Sequence, residues 1–70
     1  MSRKSKQLIH EGKYAAEVPI ELIEDETGWS PYVSSEDVRK IDRVRLALRR
    51  GDIAAATREA RVFELLPISA

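Results

Sequence analysis

Residues 14–24, YAAEVPIELIE, decide the fold of this chain. Apolar and polar side chains alternate along the segment with a period of two residues. That period, together with β-branched side chains, is typical of a strand that has one face buried and the other exposed. Pro19 lacks a backbone N–H group, so it predicts a sheet edge or a bulge. The two alternating sets are Ala16, Val18, Ile20 and Leu22 on one face and Glu17, Pro19, Glu21 and Ile23 on the other.

A turn and a second extended segment follow this strand. Residues 25–28, DETG, are typical of a turn, since Gly28 tolerates a positive φ angle. Residues 29–33 are extended again, apart from the break at Pro31. We therefore expect a β-hairpin that joins residues 16–24 to residues 29–33.

Two helices are predicted after the hairpin. Ser34 is placed to cap the first helix, with Asp37 three residues later as in a capping box, and Gly51 is placed to end it. Asp52 is placed to cap a second, alanine-rich helix over residues 53–61. A spacing of three and four residues puts one apolar set on the buried face of the first helix. That set is Val38, Ile41, Val44 and Leu48.

The two ends of the chain differ in character. Residues 62–66, VFELL, are a short apolar segment before Pro67 and predict a third strand. Residues 1–13 are polar and basic without a clear period, so we expect a flexible basic arm there. The expected fold class is α+β: one small β-β-α-α-β domain over residues 14–70, with an antiparallel hairpin and a C-terminal strand packed on a helical pair.

The composition excludes several classes of protein. The chain has 70 residues and no cysteine, which excludes a disulfide framework and a thiolate zinc site. No apolar run approaches the roughly 20 residues of a membrane span, and no signal-peptide pattern opens the sequence, so we expect a cytoplasmic protein. A chain this short buries a small core, and we expect marginal stability unless a partner contributes.

Charged residues are segregated along the chain although the net charge is zero. The formal charges of residues 1–13 sum to +3, those of residues 14–37 to −7 and those of residues 38–61 to +5, and Glu64 brings the total to zero. This pattern predicts either two oppositely charged surfaces or an acidic hairpin that packs against the basic helix. Arg45 falls inside the apolar arc of the first helix, and we expect it to pair with a hairpin carboxylate. The candidates are Glu17, Glu21 and Glu24.

Three arginines form a stripe on the first predicted helix, nearly opposite its apolar face. They are Arg39, Arg43 and Arg50, and Leu46 lies close to them and is expected to be exposed. Guanidinium groups in a row suit the recognition of phosphate, as in nucleic acid, or of the carboxylates of an acidic partner. A solvated surface without a partner is the alternative.

The sequence offers no catalytic or metal-binding constellation. The single histidine, His10, lies in the basic arm, where a loose chain cannot hold the geometry that catalysis needs. Residues 24–26, EDE, lack the spaced oxygen ligands and the loop glycine of a calcium site. The three glycines are too scattered for a phosphate-binding loop. We therefore expect a protein that is not an enzyme and that holds no metal and no cofactor.

Residues 28–32, GWSPY, place a tryptophan and a tyrosine beside the predicted turn. These residue types are enriched at interface hot spots, and filling a small core is their alternative role. Open strand edges next to Pro19 and Phe63 are further places where a partner strand can add. We predict a protein-binding site whose members are Glu21, Glu24, Trp29 and Tyr32.

Several short motifs resemble those of a small bacterial family. They are residues 21–24 (ELIE), 28–32 (GWSPY), 36–37 (ED), 47–52 (ALRRGD) and 60–65 (ARVFEL). Members of that family resemble the antitoxin half of two-gene type II toxin–antitoxin modules. The chain is also similar to HicB-like antitoxins in its strand–hairpin–helix start, and it differs from them in lacking a longer sheet and an appended DNA-binding domain. The resemblance covers about residues 14–68.

The resemblance implies a chain that binds and neutralises a small, basic, RNA-cleaving toxin. An acidic segment suits a basic partner surface, and a marginal core suits a protein that its partner stabilises. The residue patterns leave two alternatives open. One is a small nucleic-acid-binding protein that uses the basic arm and the arginine stripe. The other is a self-associating structural subunit, such as a homodimer joined through strand edges.

Overall fold

The computed structural model describes residues 2–24, 28 and 30–68. Within these residues the chain forms a small α+β domain, which confirms the predicted fold class. Its strands are β1 (Ser2–Glu11), β2 (Tyr14–Ile23), β3 (Tyr32–Val33) and β4 (Arg61–Glu64), and its helices are α1 (Ser35–Arg49) and α2 (Ile53–Thr57).

β2 is the central strand of an antiparallel sheet. β1 pairs with β2 along its whole length on one side, whereas β4 and β3 pair with opposite ends of its other side. Pro19 falls between those two short strands, so no ladder partner needs its missing N–H group. On this side β2 is unpaired only around the proline. Pro19 fits in a central strand because its missing N–H group faces this unpaired stretch.

Residues 2–11 form β1 rather than the flexible arm predicted for residues 1–13. Gly12, with a φ angle of +59°, begins a tight turn that folds β1 back onto β2, as a type II′ hairpin turn requires. An edge strand draws half of its backbone hydrogen bonds from its neighbour and buries few side chains. In β1 only Ile9 is buried, so the sequence of this strand carries no strong apolar period.

Both helices begin where the sequence predicts. The hydroxyl of Ser34 accepts a hydrogen bond from the Asp37 N–H at 3.2 Å, and the carboxylate of Asp52 caps α2 by accepting from the Ala55 N–H at 3.2 Å. α1 ends before Gly51 as expected, but α2 ends at Thr57 and not at residue 61. It stops early because the chain must turn before β4 starts to pair with β2.

The core lies between one face of the sheet and the two helices. On α1 it is built on Val44 and Leu48, as predicted, and Ile41 packs against it half-buried. Val38 is 47% exposed, contrary to the predicted helix face, because the buried part of α1 lies farther along the helix. The buried residues are Ile9, Ala16, Val18, Ile20, Val44, Ala47, Leu48 and Ala56.

Candidate protein-interaction surface

The helices cover only one face of the sheet. Side chains alternate between the faces of a strand, so the neighbours of the buried residues point to the opposite, uncovered face, which we call the open face. Leu8 of β1 is 66% exposed there, Tyr32 of β3 is 52% exposed and Phe63 of β4 is 37% exposed. The open face thus carries large apolar side chains on three of the strands.

The apolar part of the open face is densest near the β1–β2 turn. Phe63 lies opposite Ala15, and Ala15 lies opposite His10 on the other side of β2. Leu65 extends this region, because its N–H donates to the carbonyl of Lys13 at 2.7 Å and so continues the pairing of β4 with β2. Phe63, Ala15 and Leu65 form an apolar patch, whereas Leu8 lies opposite Glu17, two residues along β1 from the pair of His10 with Ala15.

Charged groups border this patch. The guanidinium carbon of Arg61 lies 5.1 Å from the centre of the Phe63 ring, a cation–π distance. Lys6 Nζ lies 3.5 Å from Glu17 Oε2. An apolar centre with a charged rim is the usual anatomy of a protein interface.

Two of the predicted site residues come together on the open face. Tyr32 pairs with Ile23 of β2, and Glu21 precedes Ile23 by two positions, so Glu21 and Tyr32 lie on the same face. Glu24 instead forms an ion pair with Arg3 at 3.1 Å. Trp29, the fourth predicted member, lies outside the described residues.

The segregated charges meet within the sheet rather than between hairpin and helix. The basic strand β1 lies along the acidic strand β2, and the pairs Arg3–Glu24 and Lys6–Glu17 follow from this pairing. Both pairs are solvent-exposed and contribute little stability. They do offset the negative charge of residues 14–37, so the predicted acidic surface is weaker than the sequence suggests.

Arg45 does not pair with any of the three predicted carboxylates. It lies 3.3 Å from Asp42 on its own helix and 3.9 Å from Glu11, to which Arg49 donates a hydrogen bond at 2.9 Å. Glu11 is at the end of β1, beside the C-terminal half of α1, whereas the predicted partners lie farther along β2 or on its open face. The ion pairs between the sheet and α1 are therefore made by Glu11 of β1, which belongs to the basic segment of residues 1–13, and not by a carboxylate of the predicted hairpin.

The predicted arginine stripe is interrupted at its centre. Arg43 forms a bidentate ion pair with Glu59, with Nε donating to Oε2 at 3.0 Å and Nη2 donating to Oε1 at 2.6 Å. Arg39 and Arg50 stay exposed, and Leu46 is 49% exposed, as expected. Because Glu59 already matches the charge of Arg43, the stripe is a weaker phosphate-binding surface than the sequence predicts.

The Arg43–Glu59 pair perturbs both of its members. Hydrogen bonds from Arg43 lower the pKa of Glu59, against a smaller opposing effect of burial, and the attraction of Arg43 and Lys40 adds to the lowering. The hydrogen bond to Glu59 likewise raises the pKa of Arg43. The pair links α1 to the segment between α2 and β4.

The single histidine lies in a strand of the sheet. His10 lies in β1 and not in a loose arm, and its Nε2 is 2.8 Å from the carbonyl oxygen of Gly12. No described group of three or more His, Asp or Glu side chains is placed to hold a metal ion. Neither described helix has the length and apolar character needed to cross a membrane.

Leu8 is not among the residues predicted to bind a partner, and Phe63 is predicted only to lie beside an open strand edge. Exposed Leu8 next to buried Ile9 is the pattern of a strand with one covered face, within the segment predicted to be an arm. Phe63 follows the half-buried Val62 in the same way. In both cases the alternation of buried and exposed side chains spans too few residues to be recognised unless the neighbouring strand is known.

No family model, no curated protein and no solved structure matches this chain.

Proposed function

We propose that this chain is a non-catalytic protein-binding module, an antitoxin that binds and neutralises a small, basic, RNA-cleaving toxin. The observation that supports the binding role is the open face, where Leu8, Tyr32 and Phe63 expose large apolar side chains. Large apolar side chains left exposed on one face of a small domain favour a role in binding a partner. The class of partner comes from the resemblance of the chain to type II antitoxins.

The size of the core supports the same role. Three of the described core residues are alanines, and the largest fully buried side chains are Val18 and Val44. A core of such short side chains contributes modest stability. A partner that binds only the folded chain therefore adds a substantial share of its stability by mass action.

Charge contributes to the choice of partner to a smaller extent. Glu21 and Glu36 are exposed and form no ion pair with any described residue. Glu21 lies near Tyr32 on the open face, so a basic partner surface would meet a carboxylate beside an aromatic ring. The apolar patch, rather than the acidic charge, is the main source of affinity in this proposal.

The test combines capture with an activity assay. A tagged chain is recovered from a native extract with and without nuclease treatment, and the protein that co-purifies in both cases is identified and then produced separately. We expect one small basic protein in nearly equal amount, whose cleavage of RNA stops when the purified chain is added. Recovery of nucleic acid alone, or of a protein that does not cleave RNA, would contradict the antitoxin proposal.

Variants locate the binding surface. Leu8→Asp and Phe63→Asp each place a carboxylate on the open face, and we expect the affinity for the captured partner to fall at least about tenfold. Val38→Asp is the matched control, since Val38 is exposed to a comparable degree on the helical layer. An equal loss in the control, or none in the open-face variants, would remove the open face from the interface.

The two aromatic anchors predicted from the sequence have their own test. The double variant Trp29→Ala/Tyr32→Ala is expected to weaken the complex by about 2 kcal/mol or more, because aromatic side chains dominate interface energetics. Isothermal titration calorimetry measures the change, and circular dichroism reports whether the variant is folded. A folded double variant that binds as tightly as the natural chain would show that these residues are not anchors.

Self-association is the second candidate function, and it is favoured by one feature of β1. The outer edge of this ten-residue strand has no strand partner among the described residues. Lys4→Pro removes an N–H group from that edge without disturbing the pairing with β2, and Lys4→Ala is its control. Light scattering that shows a dimer abolished by the proline alone would support self-association, and a monomer at all concentrations would dismiss it.

A further inference from the structure

A second surface lies in the helical layer, on the opposite side of the sheet from the open face. The Gly51–Asp52 connection folds α2 back beside the C-terminal half of α1 and leaves an open cleft of about 470 Å³ between them. We call it the α1–α2 cleft. Its lining residues are Arg43, Leu46, Ala47, Arg50, Ala55, Arg58 and Glu59.

The apolar part of the cleft exists because α2 is short and made mainly of alanine. Ala55 packs partly buried against the core, but its methyl group covers little surface, and Leu46 remains 49% exposed. Ala47, which is buried, lies beneath. A leucine left half uncovered beside two small residues offers room for one apolar side chain of a ligand.

The charged rim of the cleft is unbalanced. Arg43 and Glu59 neutralise one another through their bidentate ion pair. Arg50 and Arg58 form no ion pair with any described carboxylate, so two guanidinium groups remain available.

Three carbonyls near the end of α1 already accept hydrogen bonds from the backbone. The Arg50 N–H donates to Leu46 O at 3.1 Å, the Gly51 N–H to Leu48 O at 3.1 Å and the Asp52 N–H to Ala47 O at 2.8 Å. Within the described residues these three carbonyls therefore do not require a guanidinium donor.

We propose that the α1–α2 cleft binds an acidic segment of a partner protein, in which an apolar residue stands between carboxylates. The apolar side chain packs against Leu46 and Ala55, and the carboxylates receive paired hydrogen bonds from Arg50 and Arg58. Guanidinium–carboxylate pairs fix the direction of the segment as well as its position. This partner differs in charge from the basic toxin proposed for the open face, and its binding does not depend on that proposal.

The same cleft suits nucleic acid less well. Nucleic-acid surfaces follow the phosphate backbone with many cations and stack bases on aromatic rings. The α1–α2 cleft offers two available cations, an apolar floor and no aromatic side chain among its described lining residues. A protein segment with few charges and one apolar anchor is therefore the better match.

The experiment measures binding of a short fluorescent peptide in which leucine is flanked by glutamates, by fluorescence anisotropy with the full chain. We expect Arg50→Ala/Arg58→Ala to weaken binding at least about tenfold, as befits two charge-assisted contacts. The matched control, Lys4→Ala/Lys13→Ala, also removes two exposed positive charges but lies outside the cleft, and we expect less than about twofold change. Replacing the peptide's glutamates by glutamines is expected to abolish binding.

The natural chain supplies a readout that needs no variant. In a peptide titration followed by NMR, the amides of residues 46, 50, 55 and 58 should shift, whereas those of Leu8 and Phe63 should not. Shifts confined to the open face would overturn the proposal, as would an absence of binding or equal losses in the two double variants. Tighter binding of a single-stranded RNA oligonucleotide than of the peptide would also overturn it, in favour of a nucleic-acid surface.

Discussion

The carboxylate of Asp37 accepts a hydrogen bond from the backbone N–H of Glu21 at 2.8 Å, and so ties the first turn of α1 to the C-terminal part of β2. This N–H points to the side of β2 where β3 and β4 leave a gap. Pro19, two residues earlier, points the same way and has no N–H group to satisfy. One helix side chain thus completes the hydrogen bonding of a strand edge that no strand covers.

Removal of this link tests how the helix is held. We expect Asp37→Ala to lower the free energy of unfolding by about 1 kcal/mol, because the Glu21 N–H loses its acceptor and the first turn of α1 loses a favourable charge. Asp37→Asn keeps an acceptor oxygen and should cost less. Urea denaturation followed by circular dichroism measures both, and equal stability of Asp37→Ala and the natural chain would show that water replaces the carboxylate without loss.

A pair of leucines on α1 tests the location of the core. Leu48 is buried against β2 whereas Leu46 is half exposed, so Leu48→Ala should cost about 3 kcal/mol and Leu46→Ala well under 1 kcal/mol. A loss of that size is comparable to the whole stability of a domain this small, and Leu48→Ala should be largely unfolded at 37 °C. Thermal unfolding of both variants separates the two cases. Similar melting temperatures for the two would contradict the assignment of the buried face.

The ion pair between Arg43 and Glu59 predicts a dependence of stability on pH. Hydrogen bonds from Arg43 hold the pKa of Glu59 in the folded chain below its ordinary value of 4.5, which applies to the unfolded chain. The stabilising contribution is therefore present above that pH and is lost as the pH falls through the lower, folded-state pKa.

We expect Glu59→Gln to show a shallower loss of stability than the natural chain between about pH 5 and pH 2, because glutamine takes up no proton. Arg43→Gln should flatten the same region, and the double variant should add nothing further, since the two residues act as one pair. Urea midpoints measured across this pH range provide the test. Parallel curves for all four proteins would mean that the pair does not contribute in solution.

Amide hydrogen exchange tests whether residues 2–11 are a strand in solution. The tight turn at Gly12 sets the alternation of hydrogen bonds, so the N–H groups of Arg3, Ser5 and Gln7 point to β2 while those of Lys4 and Lys6 point to solvent. We expect the first group to exchange at least about tenfold more slowly than the second. Uniformly fast exchange over residues 2–7 would support a flexible arm instead.

Two of the four residues predicted to bind a partner share one face of the sheet. Tyr32 and Glu21 lie on one face because the segment around residues 22–23 pairs with β3, as the predicted hairpin implies. Glu24 and Arg43 are predicted from the sequence to contact a partner, but each forms an ion pair within the chain. Glu24 pairs with Arg3 of β1, and Arg43 pairs with Glu59, which is 16 residues away. Leu8 was assigned to the arm, because a single buried neighbour in an edge strand leaves too short a pattern to recognise.

The sequence by itself determined the local structure of this protein. The alternation within residues 14–23 sets β2, and the caps at Ser34 and Gly51 set the limits of α1, because these signals act through neighbouring backbone groups. Only the tertiary structure decided that residues 2–11 become β1, that Glu11 pairs with Arg49 across 38 residues of sequence, and that one sheet face stays open. Those outcomes depend on which elements lie side by side. They cannot be predicted from local patterns, because pairing between two distant segments leaves no period in the sequence of either segment.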